Sequence, residues 1–352
     1  MVCIAAFIIL TIIGVFVAFV SIFKRDFGKR YLKVFKKAWG CVGKKVRLQK
    51  CETGFKEDVK NTVLSKVIIK HPTWVRPLSI VMEIVSVIIV AITVWSLATA
   101  IKSLLALWTL GTCNVTKPAA CSLGAEVCSI DEDEPKNIFE ATGRWFTEWG
   151  EIFGAIPDKF RDWSPEQFNL ATIELPNGNK DAALAIDILD PGCSVCLKSY
   201  QNQKASGFFD SHNTKIVVFA IQNPDDTFKF KNSETITRYI YASTKINNTL
   251  GAIIIDKTFT GKIEYDGVIT QYQSLFNNTF EKEDTLKTLD EWAKEAGTTD
   301  EEIKTIHDNM DSVEVTEIMQ RNRKIVVDDI HAKGIPTMLY DGGRHTGLYK
   351  NE

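Results

Sequence analysis

Residues 182–204 read AALAIDILDPGCSVCLKSYQNQK. The run 182–189 is continuously apolar except for Asp187, as expected of a strand buried on both faces. Asp190-Pro191-Gly192 breaks it, and a helix opens near Cys193 and continues through residues 198–204. The apolar run 216–221 (IVVFAI) follows as the next buried strand. A strand, a break, a helix and a second buried strand make an α/β pattern.

Cys193 therefore sits where a helix begins. The unpaired N–H groups and the positive dipole end there favour a thiolate, which is the nucleophile of disulfide exchange. Cys196 lies three residues further on and can reach back within one turn to resolve. A CxxC can also be half of a zinc site, but this region has no second CxxC or Cys/His pair. Asp187, at an apolar position six residues before Cys193, is a candidate to relay the proton of Cys196, since burial raises a carboxyl pKa. Its alternative is a strand-edge carboxylate facing water. Near the chain's end, Gly334-Ile335-Pro336-Thr337 precedes a strand, and an X-Pro bond there is a candidate for cis. A backbone edge beside the cysteines would offer the Ile335 peptide group to an incoming chain by strand addition.

These pieces resemble the thioredoxin-fold thiol:disulfide oxidoreductases over roughly residues 168–350. The matching elements are Asp187, Cys193-Ser194-Val195-Cys196, and Gly334-Ile335-Pro336-Thr337 with the turn Asp341-Gly342-Gly343 of a terminal hairpin. The helical stretch between the second strand and Pro336, and the Asp-Pro-Gly-Cys lead-in, look like the Dsb enzymes. The resemblance implies a central sheet, an exposed Cys193, a buried Cys196, a cis Pro336, and a protein dithiol or disulfide as substrate. Ser194-Val195 is not a common family dipeptide and lacks the His of strongly oxidising members. The sequence ends 16 residues after Pro336, short of the helix that usually closes this fold.

That missing cover directs attention to the stripe Phe139, Thr142, Phe146, Trp149, Phe153, Ile156, Phe160 and Trp163, one face of a helix. Pro157 is expected to bend or restart it. The helix is expected to pack on its own domain and cover the bare sheet face; a dimer seam, and so a homodimer, is the alternative. Within 168–175 the alternation predicts a strand ending at Pro176-Asn177-Gly178. Leu286, Leu289, Trp292, Ala293 and Ala296 mark one amphipathic helix, and Ile303, Ile306 and Met310 another.

The remainder of the chain of 352 residues is organised by charge. Residues 1–23 carry none, 24–77 hold 16 Lys/Arg against 4 Asp/Glu, and 112–352 hold 25 against 39. An apolar content of 45% excludes a disordered chain, and 8 Cys are too few for a disulfide-stapled scaffold. Residues 2–23 are long enough to span a bilayer, and so are 78–110, with Lys102 expected to snorkel to head groups. The basic loop between them stays cytoplasmic, so the N-terminus and everything after about Leu110 lie outside the cytoplasm. Nucleic-acid binding by that loop is the weaker reading beside two membrane segments.

The organisation is then two transmembrane helices (1–23 and 78–110) around a basic cytoplasmic loop (24–77), a cysteine-containing linker (111–136), an aromatic helix (137–167) and an α/β thioredoxin-like domain with a helical insertion (168–352). In the linker, Cys113, Cys121 and Cys128 on an oxidising side point to a local disulfide plus a partner elsewhere. Cys3 is one candidate for Cys113. Cys41 and Cys51 fall on the reducing side as free thiols. Asn114, Asn247 and Asn277 head glycosylation-type triplets.

The expected function is a two-pass, membrane-anchored oxidoreductase acting on secreted or surface proteins. Cys193 is the nucleophile, Cys196 resolves, Asp187 transfers protons, and Ile335 with Pro336 holds substrate. No cofactor or metal is implied, and electrons pass to or from a partner redox protein. A non-catalytic scaffold with a buried disulfide is the rival. A metal chaperone is a third reading, for which Met310, Met319 and Met338 form no organised ligand set.

Overall fold

In the computed structural model the described residues are Lys36, Trp39, Gly40 and 75–350, except 122, 131–134 and 177. The apolar segment 1–23, most of the basic loop, and Cys3, Cys41 and Cys51 lie outside them. The chain divides into two compact units, residues 1–101 and 102–352.

Helix α1 (Val75–Leu110) is 36 residues long, with Pro77 in its first turn, where a missing N–H costs nothing. It is the one helix among the described residues long and apolar enough to cross a membrane, where two such segments were expected. Ile80, Ile84, Ile88 and Ile92 are all exposed along it. In the second unit, strand β1 (Cys128–Ser129) precedes α2 (Ile138–Gly154).

A five-stranded sheet forms the centre. β2 (Ile173–Glu174), β3 (Leu184–Leu189) and β4 (Asn213–Val218) come first, with α3 (Ser194–Ser206) crossing from β3 to β4. An insertion follows: α4 (Ser233–Ser243), α5 (Asn248–Thr260), the hairpin β5 (Lys262–Tyr265) and β6 (Val268–Gln271), α6 (Tyr272–Asn278), α7 (Lys282–Glu295), α8 (Asp300–Met310) and α9 (Val313–Lys324). The chain ends with β7 (Gly334–Ile335), β8 (Thr337–Tyr340) and β9 (Gly343–Thr346). The sheet order is β2-β4-β3-β8-β9. β3 and β4 are parallel, while β2, β8 and β9 each run antiparallel to their neighbours. β3 lies at the centre with five of its six residues buried, which accounts for an apolar run broken only by Asp187.

Local chemistry fixes the boundaries. α3 stops at Gly207, whose φ of 74° suits a left-handed C-cap. α8 opens with the capping box of Thr299 and Glu302. Asp341 and Gly342, both at positive φ, turn β8 into β9. Asp266-Gly267 does the same between β5 and β6, a hairpin inside a stretch expected to be polar and helical.

Two expectations change. Residues 168–175 bury Phe168, Leu170, Ile173 and Leu175, but the alternation slips by one residue at Ala171-Thr172, and only Ile173–Glu174 hydrogen-bonds as a strand, against β4. The aromatic helix ends at Gly154, and its stripe does not cover the sheet: Phe139 is 90% exposed and Phe160 80%. The face that packs is instead Glu148, Ile152 and then Ala155, against Lys102, Ala106, Leu110 and Val115. Glu148 pairs with the buried Lys102 and accepts from Thr116 Oγ1 at 2.5 Å, so Lys102 does not reach for head groups. Trp163 does join the main core; its backbone N–H donates to Gly342 O at 2.9 Å, and the Arg344 guanidinium lies 4.5 Å from its ring centroid.

Candidate active site

β3 delivers the chain to Asp190, and the tight segment 190–193 turns it into α3. Cys193 is the N-cap of α3, with Sγ accepting from Cys196 N–H at 3.4 Å. The two cysteines thus stand one helical turn apart, as the sequence spacing requires.

Asp190 organises this turn, a role the sequence reading did not assign. Its carboxylate accepts from Gly192 N at 2.6 Å, Ser233 Oγ at 2.5 Å and Ile221 N at 2.6 Å. Its own N–H donates to Cys196 Sγ at 3.4 Å. The group is fully buried, and burial pushes its pKa up to about 6 against the pull of those donors. Its place before Pro191-Gly192 was the available signal, since Asx residues bond to backbone two positions on.

The insertion holds the other side of the turn. Gln273 Nε2 donates to Pro191 O at 2.8 Å and Cys193 O at 3.0 Å, and Asn277 Nδ2 donates to Gly192 O at 2.7 Å. Asn277 is therefore tied to the loop by the nitrogen that a glycan would need. Phe230 packs on Gly192 so closely that a Cβ there would fall 2.3 Å from Phe230 Cβ. Nothing local in sequence announced Gln273 or Phe230; both act across the fold.

Asp187 is 1% exposed, so the water-facing alternative does not hold. Neither carboxylate oxygen has a hydrogen-bond partner. Gln203 lies beside it and favours the charged form, while its Nε2 donates to Met338 Sδ at 3.0 Å. Burial dominates and raises the Asp187 pKa to about 7. Burial likewise pushes the Cys196 thiol well above its ordinary value, with Asp190 and Asp187 adding smaller repulsions.

Opposite the cysteines, the Ile335-Pro336 peptide is cis. Ile335 O lies 3.9 Å from Cys193 Sγ. The backbone edge at Ile335 is not open, however. β1 pairs with β7 antiparallel, in the register Cys128 to Ile335 and Ser129 to Gly334. Cys193 is bonded to Cys128, and Cys196 is a buried free thiol. The exposed nucleophile and the disulfide within the CxxC are thus both replaced: Cys193 is 0% exposed because the linker lies over it. Cys113 pairs with Cys121, not with Cys3. Among the described residues no group of three His, Cys, Asp or Glu could hold a metal.

No protein-family profile matches the chain, and no curated protein matches it. Similar solved structures include the thiol-disulfide exchange protein alpha-DsbA2 from Wolbachia pipientis, at 14% identity over 55% of this chain and 87% of that one, TM-score 0.37. A thioredoxin-like oxidoreductase from Silicibacter pomeroyi DSS-3 is 14% identical over 54% of this chain and 90% of that one, TM-score 0.33. MdbA, a thiol-disulfide oxidoreductase from Corynebacterium diphtheriae, is 13% identical over 50% and 88%, TM-score 0.35. The chain's neighbours among solved structures are thus thioredoxin-like and thiol-disulfide exchange proteins of mixed α/β content.

Proposed function

We propose that the protein is a membrane-anchored thiol:disulfide oxidoreductase whose domain acts outside the cytoplasm on cysteines of secreted or surface proteins. The observation that carries this reading is a cysteine at a helix N-terminus, bonded to a strand-paired cysteine beside Ile335, with a free thiol one turn behind it. That is the bonding of an exchange intermediate.

In the proposed cycle, the Cys193 thiolate attacks a substrate disulfide, or a substrate thiolate attacks the bond between Cys193 and Cys196. Either route forms a mixed disulfide on Cys193. Helix N–H groups stabilise Cys193 as an anion whenever it is released. Asp187, poised near neutrality, takes the proton that Cys196 must lose to resolve. Substrate lies antiparallel to β7, with Ile335 giving backbone hydrogen bonds. Electrons go to, or come from, a partner redox protein.

Membrane anchoring is supported by α1, whose apolar residues are exposed where a core helix would bury them. The basic segment before it supports a cytoplasmic loop and an extracytoplasmic domain. The acceptor triplet at exposed Asn114 is compatible with that side.

One observation favours the scaffold reading: Cys193 is fully buried in a disulfide, as a structural staple would be. Equilibrating the full chain, in detergent micelles, across glutathione redox buffers decides between them. Mass mapping of alkylated Cys193 gives its potential. A value between about -280 and -120 mV supports exchange, and one below about -300 mV with an unreactive Cys193 supports the staple.

A further inference from the structure

The linker strand is more than a cover. Ile130 N donates to Lys333 O at 3.0 Å and Leu348 N donates to Glu126 O at 3.0 Å, extending the pairing on both sides of Cys128. A Cβ on Gly334 would come within 2.8 Å of the Val127 side chain, and one on Gly347 within 2.4 Å of Ala125 Cβ. Both glycines thus admit the segment by lacking a side chain. Ser129 is fully buried, its Oγ accepting from Ala119 N at 2.8 Å and its carbonyl from Lys229 Nζ at 3.1 Å. Five residues of the chain's own linker therefore lie in the place argued above for substrate, in the strand-addition mode argued for substrate.

The bonding has the same character. A staple needs two cysteines and gains nothing from a third thiol beside it. Here Cys196 remains a thiol, its N–H on Cys193 Sγ, one turn from the bond it would attack. Cys128 itself is half-buried, whereas Cys193 is fully buried.

We propose that residues 126–130 are a tethered pseudosubstrate and that Cys128 is a third exchange cysteine, holding the groove over Cys193 closed until Cys196 displaces it. This rests on the exchange-enzyme reading above. In the release step Cys196 gives its proton to the Asp187 carboxylate and its thiolate attacks Cys193 Sγ. The bond from Cys193 to Cys128 breaks as the bond from Cys193 to Cys196 forms, and Cys128 leaves as a thiolate that takes a proton from water. One disulfide stands on each side, so neither oxidant nor reductant is consumed. An external substrate must compete with this tethered cysteine, whose effective concentration on a short linker is about 1 mM.

The test uses the full chain in detergent micelles as wild type, Cys128→Ser and Cys196→Ser, with a fluorescent peptide carrying two thiols as probe. Each protein is mapped for disulfides without reduction, and its exchange with the peptide is timed after reduction and limited reoxidation. The expected result is a bond between Cys128 and Cys193 accumulating in Cys196→Ser, and a bond between Cys193 and Cys196 in Cys128→Ser. At about 10 µM peptide, Cys128→Ser should exchange roughly 100-fold faster than wild type, the ratio of tethered to free concentration. Equal rates for Cys128→Ser and wild type, or no bond from Cys128 to Cys193 in Cys196→Ser, overturn the pseudosubstrate and leave the enzyme reading standing. No exchange by a Cys128→Ser protein that carries the bond from Cys193 to Cys196 sinks the enzyme reading itself. Should a variant not fold, the wild type suffices: the pool with one disulfide among Cys128, Cys193 and Cys196, equilibrated with a trace of thiol, must contain both bonds to Cys193. A pool in which Cys196 never appears linked overturns the proposal.

Discussion

Replacing Asp187 with Asn should stabilise the domain, and do so only on the alkaline side. The carboxyl is buried without a hydrogen-bond partner, and its pKa moves from 3.8 to about 7 on folding. Below about pH 3.8 it is neutral in both states and costs nothing. As pH rises, the unfolded chain ionises while the folded chain stays protonated, so stability is lost progressively; above about pH 7 the loss is complete. The shift of roughly three units, at about 1.36 kcal/mol each, amounts to about 4 kcal/mol. Asn keeps the shape and removes the ionisation. Urea unfolding of the full chain in micelles, followed through the buried Trp163 and Trp292, should therefore show the advantage of Asp187→Asn growing by about 4 kcal/mol between pH 4 and pH 8. The same substitution should slow release of Cys128 by Cys196 by about 100-fold at pH 7, the usual scale for losing a positioned base. A stability difference that does not change with pH would falsify the burial argument, whatever the variant does to exchange.

Other substitutions probe the supports of the turn. Asp190→Ala leaves the buried donors Gly192 N, Ile221 N and Ser233 Oγ unpaired, and should cost about 3–6 kcal/mol in urea unfolding, at roughly 1–3 per orphaned group less local repair. Gly192→Ala should cost about 1–3 kcal/mol through the clash with Phe230, and the double variant Gly192→Ala with Phe230→Ala should be less destabilised than the two single changes added; simple additivity would contradict the contact. Lys102→Met should cost about 3–5 kcal/mol by leaving Glu148 buried and unpaired, whereas Lys102→Met with Glu148→Leu should recover most of it, both read from thermal unfolding in micelles.

What the sequence made legible is what is encoded within a few residues. β3, the break at Asp190-Pro191-Gly192 and α3 follow from an apolar run, a Pro-Gly pair and a capping cysteine, all contiguous. The β8 to β9 hairpin follows from Asp341-Gly342. The hairpin of β5 and β6 carried the same Asp-Gly signal and was passed over inside a polar stretch. Where burial depends on a distant partner, the local pattern misleads. The aromatic spacing of α2 is helical, yet the buried face is the one holding Glu148, because Lys102 neutralises it from another helix. The apolar residues of 168–175 are buried as expected, but not in one strand's alternation: Phe168 and Leu170 reach the core from irregular backbone, and the phase shifts before Ile173. Cys128 is 65 residues from Cys193, and no spacing rule connects them.

The position of that disulfide also determines how it can be opened. Its two sulfurs are not equivalent as leaving groups. A thiolate released at Cys193 would face the N–H groups that begin α3, whereas one released at Cys128 would have no helix end behind it. Leaving-group stability therefore favours attack at Cys128, the less buried residue of the pair, with Cys193 expelled. Cys196 can attack only Cys193, and so must expel the poorer leaving group. Two features offset that handicap: Cys196 is held one turn away, and Asp187 can take its proton. Proximity and a buried base serve the internal route, and leaving-group quality serves an external thiol. If residues 126–130 act as the proposed pseudosubstrate, an excess of a small external thiol should therefore expel Cys193 first and leave that thiol attached to Cys128, which mass mapping without reduction would show.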